Sequence, residues 1–185
     1  YVWEGSKANN RSEARPDIWP VQLSTLQATE QRWLFDRRIP LGHYVILEGD
    51  PDTKKSWITI SWAAAITTDG EASCTMPGYV QAGRPRDVII LTSEDGLRDT
   101  YIRRAELLGC DLSRVICLDL TDPVSVGFNL GEEGLATLAR WLEYYDCPLV
   151  IFDPIVGWLG SDTDPGVDVS IRTFLRKLEA LGQQY

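Results

Sequence analysis

Apolar positions along the chain fall into two alternating kinds of run. Tyr44-Val45-Ile46-Leu47, Asp87-Val88-Ile89-Ile90-Leu91-Thr92, Arg114-Val115-Ile116-Cys117-Leu118 and Pro148-Leu149-Val150-Ile151-Phe152 are short and continuous. Runs of that length and β-branched content predict strands, and the unbroken ones suit a parallel sheet buried on both faces. Between them the spacing turns helical. Residues 56–66 are apolar almost all round, as in a helix packed on a sheet. Leu97, Tyr101, Ile102, Ala105 and Leu108 share one helical face, and Gly109 supplies the stop. Leu135, Leu138, Trp141, Leu142 and Tyr145 form a second face, and Val167, Ile171, Phe174, Leu175 and Leu178 a third that Gly182 closes.

Strands alternating with helices predict an α/β domain with a mainly parallel sheet. Residues 1–20 are polar and aperiodic and read as a linker or N-terminal arm, with Trp3 and Trp19 available to dock it. Residues 21–185 form the domain. Pro40-Leu41-Gly42 turns the chain into the first strong strand, and residues 67–86 make a long loop. The sequence stops at Tyr185, where the alternation calls for a further strand, so the core is expected to be incomplete on that side.

Composition narrows this only a little. A chain of 185 residues with 44% hydrophobic content can bury a core without covalent staples. A net charge of −9 argues against a general coating of nucleic acid or anionic membrane. Arg98, Arg103 and Arg104 read as a solvated helix face. Cys74, Cys110, Cys117 and Cys147 are far apart, lack a C-x-x-C pair and have only His43 for company, so they read as buried or incidental thiols rather than metal ligands. Neither a signal-peptide pattern nor an apolar run of spanning length is visible, which predicts a cytoplasmic protein with no membrane partner.

Candidate chemistry gathers at the strand ends. The first apolar run meets Gly49, then Asp50-Pro51-Asp52-Thr53-Lys54, then Lys55-Ser56 and Trp57 at the start of a helix. Strand, tight turn and Lys-Ser at a helix N-terminus is the layout of a phosphate-binding loop, whose backbone N–H groups cradle an anion. Lys54 stands where the rule G-x-x-x-x-G-K-[ST] has its second glycine. Lys55 would reach the phosphates of a nucleoside triphosphate, and the Ser56 hydroxyl would ligate Mg²⁺. Asp153 ends another apolar run, where an acid can hold the Mg²⁺ shell, and Glu94 follows a third, where it can orient an attacking water. Ligands of parallel α/β sheets bind outside the carboxyl ends of the strands, so these segments can share one crevice. Each also has a plainer reading: a Gly-Asp-Pro turn, an Asx turn at Asp153, and acidic residues favoured by a helix N-terminus at Glu94 and Asp95.

The runs Trp33-Leu34, Ile39-Pro40-Leu41-Gly42, Leu47-Glu48-Gly49-Asp50-Pro51, Leu91-Thr92-Ser93-Glu94-Asp95-Gly96, Ala105 through Val115, Ile151-Phe152-Asp153-Pro154 and Leu159-Gly160-Ser161-Asp162 resemble the RepA-like branch of RecA-type P-loop ATPases. These are AAA-family ATPases of plasmid and phage replication proteins and primase–helicase fusions. The resemblance spans roughly residues 30–185. It implies a RecA-like P-loop NTPase core with helices on both faces of the sheet, ATP and Mg²⁺ as cofactors, and a homo-oligomeric, hexameric ring. It also implies action on single-stranded DNA through regions beyond this chain. Lys55 and Ser56 fall on its phosphate-loop motif, with Gly49, Asp50, Pro51, Asp52, Thr53, Lys54 and Trp57 around them. Asp153 falls on its second acidic motif and Glu94 on its catalytic glutamate. The family loop reads Gly-x-Pro-Gly-x-Gly-Lys-Ser, and Asp52 and Lys54 replace two of its glycines. Glycine permits positive φ and close backbone approach, so both replacements bear on hydrolysis more than on binding. The resemblance thus implies an ATP-hydrolysing domain of a helicase, helicase-loader or primase–helicase. A catalytically silent module that only binds nucleotide or assembles a ring is the alternative.

Overall fold

The computed structural model describes residues 20–72, 76–93, 96–160 and 168–185. The chain divides into two compact units, Tyr1–Glu30 and Gln31–Tyr185. Within the first, the described residues form a 3-10 turn, Leu23–Thr25, with Val21, Leu23 and Leu26 exposed. The expected arm and the docking of Trp3 and Trp19 fall on residues 1–19, outside the described residues.

The second unit opens with an antiparallel pair, β1 (Trp33–Phe35) and β2 (Ile39–Pro40). The sequence pattern did not predict it, because its turn carries Arg37 at φ 53° rather than a glycine or asparagine. Phe35 is fully buried, tilted against the rings of Trp62 and Tyr79. Helix α1 (Lys55–Thr67) follows and is buried almost continuously from Thr59 onward.

Strands β3 (Val88–Thr92), β4 (Val115–Cys117) and β5 (Leu149–Asp153) form a parallel sheet in the order β4-β3-β5. Helix α2 (Ile102–Leu108) lies between β3 and β4 in sequence, and α3 (Glu132–Tyr144) between β4 and β5; α4 (Asp168–Gly182) comes last. A π-turn, Leu97–Tyr101, leads into α2, and Gly109 caps it at φ 79° in the left-handed conformation that glycine adopts without strain.

Side chains alternate across β3, and the two faces enter different cores. Val88 and Ile90 pack with Ile60, Ala63, Tyr101, Ala105 and Ile151, on the side of α1 and α2. Ile89 and Leu91 pack with Leu138, Trp158 and Phe174, on the side of α3 and α4. The sheet therefore carries helices on both faces, as a RecA-like α/β fold does. Cys110, Cys117 and Cys147 are half-buried free thiols, and burial pushes each up to about 11, so none is a ready nucleophile. Cys74 lies outside the described residues. Among the described residues no helix is long and apolar enough to cross a membrane.

One expected element is absent. Residues 44–47, predicted as the strand before the phosphate loop, form no strand, and Tyr44, Val45, Ile46 and Leu47 are all exposed. Strand conformation is held by hydrogen bonds to a neighbour, and among the described residues no strand pairs with this segment. It is fixed instead at its base. His43 Nδ1 lies 2.8 Å from Glu179 Oε1 on α4, and Gly42 lies against Gly182 at the end of the same helix.

Candidate functional site

The last turn of α1 lies at the amino end of the sheet, where the Arg86 N–H, just before β3, donates to the Ile66 carbonyl at 3.1 Å, so the loop that starts α1 lies toward the carboxyl end, as do the ends of β3 and β5. In the loop, Pro51 and Asp52 make a turn closed by Thr53, whose N–H and Oγ1 donate to the Asp50 carbonyl at 3.4 and 2.7 Å. Asp52 and Lys54 both adopt positive φ, 63° and 65°. These are the two positions where glycine was missed in the sequence, and the backbone takes glycine's conformation without the glycine. Aspartate tolerates the left-handed region through its short polar side chain; lysine has no such help. The strain is of order 1–2 kcal/mol at such a residue.

Lys54 caps α1 with its carbonyl, which accepts from the N–H groups of Trp57 and Ile58 at 3.0 and 3.3 Å. Lys55 is the first residue of the helix and folds back over the loop. Its Nζ donates to the carbonyls of Gly49 and Asp50 at 2.7 and 2.8 Å and lies 3.5 Å from Thr53 Oγ1. Gly49 makes this possible, since a Cβ there would meet Thr53 Oγ1 at 3.0 Å and the Lys55 stem at 3.8 Å. Ser56 is half-buried on the next position, and its carbonyl accepts from Thr59 Oγ1 at 3.0 Å. The ring of Trp57 carries the Arg104 guanidinium 5.7 Å from its centroid, which ties α1 to α2.

At the sheet, β3 and β5 run in parallel register with Thr92 opposite Asp153, and the Ser93 N–H donates to the Asp153 carbonyl at 3.2 Å. Asp153 Oδ2 is buried and has no hydrogen-bond partner. A buried unpaired carboxylate oxygen carries a desolvation cost of about 1–3 kcal/mol or more, so its setting favours an incoming cation or donor. Tyr101 stands between this carboxylate and α1. Its hydroxyl is pushed well above the phenol range, first by burial, then by Cys117 and by the Asp153 carboxylate, with Thr59 acting the other way. The turn after β5, Ile155–Trp158, presses Gly157 against Ser93 so closely that a Cβ there would run into the serine side chain.

Of the residues singled out in the sequence, Gly49, Asp50, Pro51, Asp52, Thr53, Lys54, Lys55 and Ser56 therefore form one continuous loop and helix start. Asp153 ends a strand against which α1 packs. Glu94 lies outside the described residues, as does Asp95. Thr92 and Tyr101, which the sequence pattern assigns only to a strand and a helix face, lie at this end of β3 and beside Asp153. A polar residue closing an unbroken apolar strand, just before the acidic pair, was the available signal for Thr92.

The donor set suits a cation brought in with a phosphate ligand. No cluster of three or more histidine, cysteine or carboxylate groups exists among the described residues, so a preassembled metal cage is not what they offer. Mg²⁺ needs less from a protein, holding one or two carboxylates beside substrate phosphates and its own waters. The Asp153 carboxylate and the Ser56 hydroxyl meet that requirement in kind.

A three-stranded parallel sheet flanked by helices, with a glycine-opened Lys-Ser loop at the first helix, defines a P-loop α/β nucleotide-binding domain. The comparison with known families agrees: the chain belongs to the AAA_25 family, an AAA domain, which it matches over residues 8–185. No curated protein matches the sequence.

Proposed function

We propose that this domain binds ATP with Mg²⁺ at the carboxyl end of its sheet and hydrolyses it by water attack. The observation that carries the reading is the backbone of residues 49–55. Asp52 and Lys54 keep the left-handed conformation of a phosphate loop even though neither is glycine, and they deliver Lys55 and Ser56 to the start of α1. Membership of an AAA domain family supports the nucleotide class.

In this reading the Lys55 ammonium leaves the Gly49 and Asp50 carbonyls and binds the terminal phosphates as a point charge. The N–H groups at the start of α1 donate to the phosphate oxygens. The Ser56 hydroxyl and the Asp153 carboxylate hold the cation, and Glu94 orients the attacking water. Mg²⁺, when bound, neutralises charge that builds on the phosphate oxygens. Positioning and charge compensation are all the protein needs to supply for this reaction. The wider role, in a helicase, helicase-loader or primase–helicase acting on single-stranded DNA as a hexameric ring, rests on the RepA-like resemblance of the quoted runs alone.

Loss of Lys55 tests the site. A hydrogen bond to a charged group contributes about 1.5–3 kcal/mol, so Lys55→Ala is expected to weaken a fluorescent ATP analogue at least about tenfold. Equal binding by the variant overturns the assignment. A second reading, a nucleotide-binding module with little turnover, is favoured by the side chains that Asp52 and Lys54 place where glycine would leave room. Steady-state ATPase with single-stranded DNA separates the two: turnover abolished in Glu94→Gln supports hydrolysis, and no turnover in the unmodified protein supports the silent module.

A further inference from the structure

Thr92 and Asp153 are register partners in parallel strands, so their side chains leave the sheet on the same face. That face is the one on which Val88 and Ile90 pack with Ile60, Tyr101 and Ala105. Thr92 is only 4% exposed and Tyr101 only 2%. Thr92 Oγ1, Tyr101 OH and Asp153 Oδ2 are all buried and none makes a hydrogen bond of good geometry, although the Thr59 side chain lies close enough to act on the phenol. Tyr101 is set there by the π-turn, whose widened ring closes from the Tyr101 N–H to the Gly96 carbonyl at 3.0 Å. Such turns recur at functional positions. The phenol feels the Asp153 carboxylate and Thr59, and Thr59 is bonded to Ser56, so the group links the end of β5 to the start of α1.

Buried oxygens in folded proteins are almost always bonded. Three left over on one face, at the ligand end of a parallel sheet, need a partner that comes with the ligand. Their chemistry is complementary. Thr92 and Tyr101 each donate one proton and can accept, whereas a carboxylate oxygen accepts.

We propose that Thr92 and Tyr101 are positioning residues of the nucleotide site, their hydroxyls holding water of the Mg²⁺–nucleotide complex against the inner oxygen of Asp153. The inference rests on the nucleotide reading above. A water in this position donates to the carboxylate and bonds the two hydroxyls, which fixes the rotation of the Asp153 side chain. The other carboxylate oxygen is then free for the cation or its shell. Neither hydroxyl touches the reacting atoms; both act through Asp153.

The test uses the full chain and a non-hydrolysable fluorescent ATP analogue, titrated with and without Mg²⁺. Thr92→Val and Tyr101→Phe delete one hydroxyl each at nearly constant shape. Both are expected to keep their metal-free affinity within about twofold but to lose about fivefold of the tightening that Mg²⁺ brings, the worth of one hydrogen bond. Thr92→Ser is expected to restore it. Without nucleotide, both variants are expected to melt at or above the parent temperature, because an unpaired buried oxygen has been removed. A lower melting temperature would identify a structural bond within the free protein and overturn the proposal. Unchanged Mg²⁺ dependence in Thr92→Val and Tyr101→Phe, with Lys55→Ala still failing to bind, overturns it while leaving the nucleotide site standing. Parent-like binding by Lys55→Ala overturns the nucleotide reading itself.

Discussion

Two stretches look alike in the sequence and end differently in the fold. Val88-Ile89-Ile90-Leu91 and Tyr44-Val45-Ile46-Leu47 are both apolar runs of strand length that lead into polar, chemistry-bearing residues. The first is at most 1% exposed and bonded on both sides, to β4 and β5. The second is 37–66% exposed and pairs with nothing among the described residues. Hydrophobicity and β-branching are common to both. The difference is a neighbour. β-propensity measures fit to a half-built surface, and a strand-like sequence without a flanking strand has no surface to fit. The comparison divides the candidate site as well. Thr92 and Asp153 are held by a sheet, whereas the phosphate loop is held by its own internal bonds, and the segment before it only where His43 meets Glu179 and Gly42 meets Gly182.

The largest effect expected from this contrast is on stability. Ile90→Ala removes a buried side chain between β4 and β5, and its cost is expected at about 2–5 kcal/mol by urea unfolding. A cost under about 1 kcal/mol would mean the sheet core is looser than the burial of β3 implies.

Next comes the loop's own strain. Lys54→Gly relieves a left-handed lysine but loosens the unfolded chain, and the net gain is expected near zero to about 1 kcal/mol. The same variant is expected to raise ATP turnover if the side chain at this position limits hydrolysis. Turnover unchanged in both Lys54→Gly and Asp52→Gly would remove the reason for suspecting a silent loop. Smaller still, Ile46→Ala is expected to change stability by less than about 0.5 kcal/mol, as at any exposed position. A loss comparable with that at Ile90 would show residues 44–47 to be buried in solution and sink the comparison.

Sequence patterning read the sheet well because its signals are local and redundant. β3 and β5 are unbroken apolar runs, α1 is apolar all round, and Gly109 stops α2 at a left-handed residue. The failures needed information from elsewhere in the chain. Strand formation at 44–47 depends on a partner strand, and the hairpin of β1 and β2 turns on Arg37 without a turn signature. At the proposed site, Lys55, Ser56 and Asp153 are legible in the sequence as residue types at strand ends. Thr92 and Tyr101 are not, since their interest arises from parallel register and from burial without a partner.

The smallest effect expected lies away from both regions. Asp119 is held down to about 2, first by the Thr121 hydroxyl, then by the Thr121 N–H and by Arg98. Its folded-state value lies below the unfolded value of about 3.9. Its contribution is therefore complete above the unfolded value and fades as pH falls through about 2. The carboxylate sits at the surface with its side chain 39% exposed, where water screens it, so the effect on the whole fold is slight. Thr121→Val is expected to raise the Asp119 value towards 3.9 in an NMR titration, and no movement would remove the hydroxyl as the main cause.

The embrace of Lys55 by the carbonyls of Gly49 and Asp50 has a consequence for timing. An ammonium already satisfied at short distance is a latch, and in the proposed site it must lift before a phosphate can take its place. Under that proposal loading is an exchange of partners rather than a capture, with a rate that levels off at the latch's own opening frequency however much nucleotide is supplied.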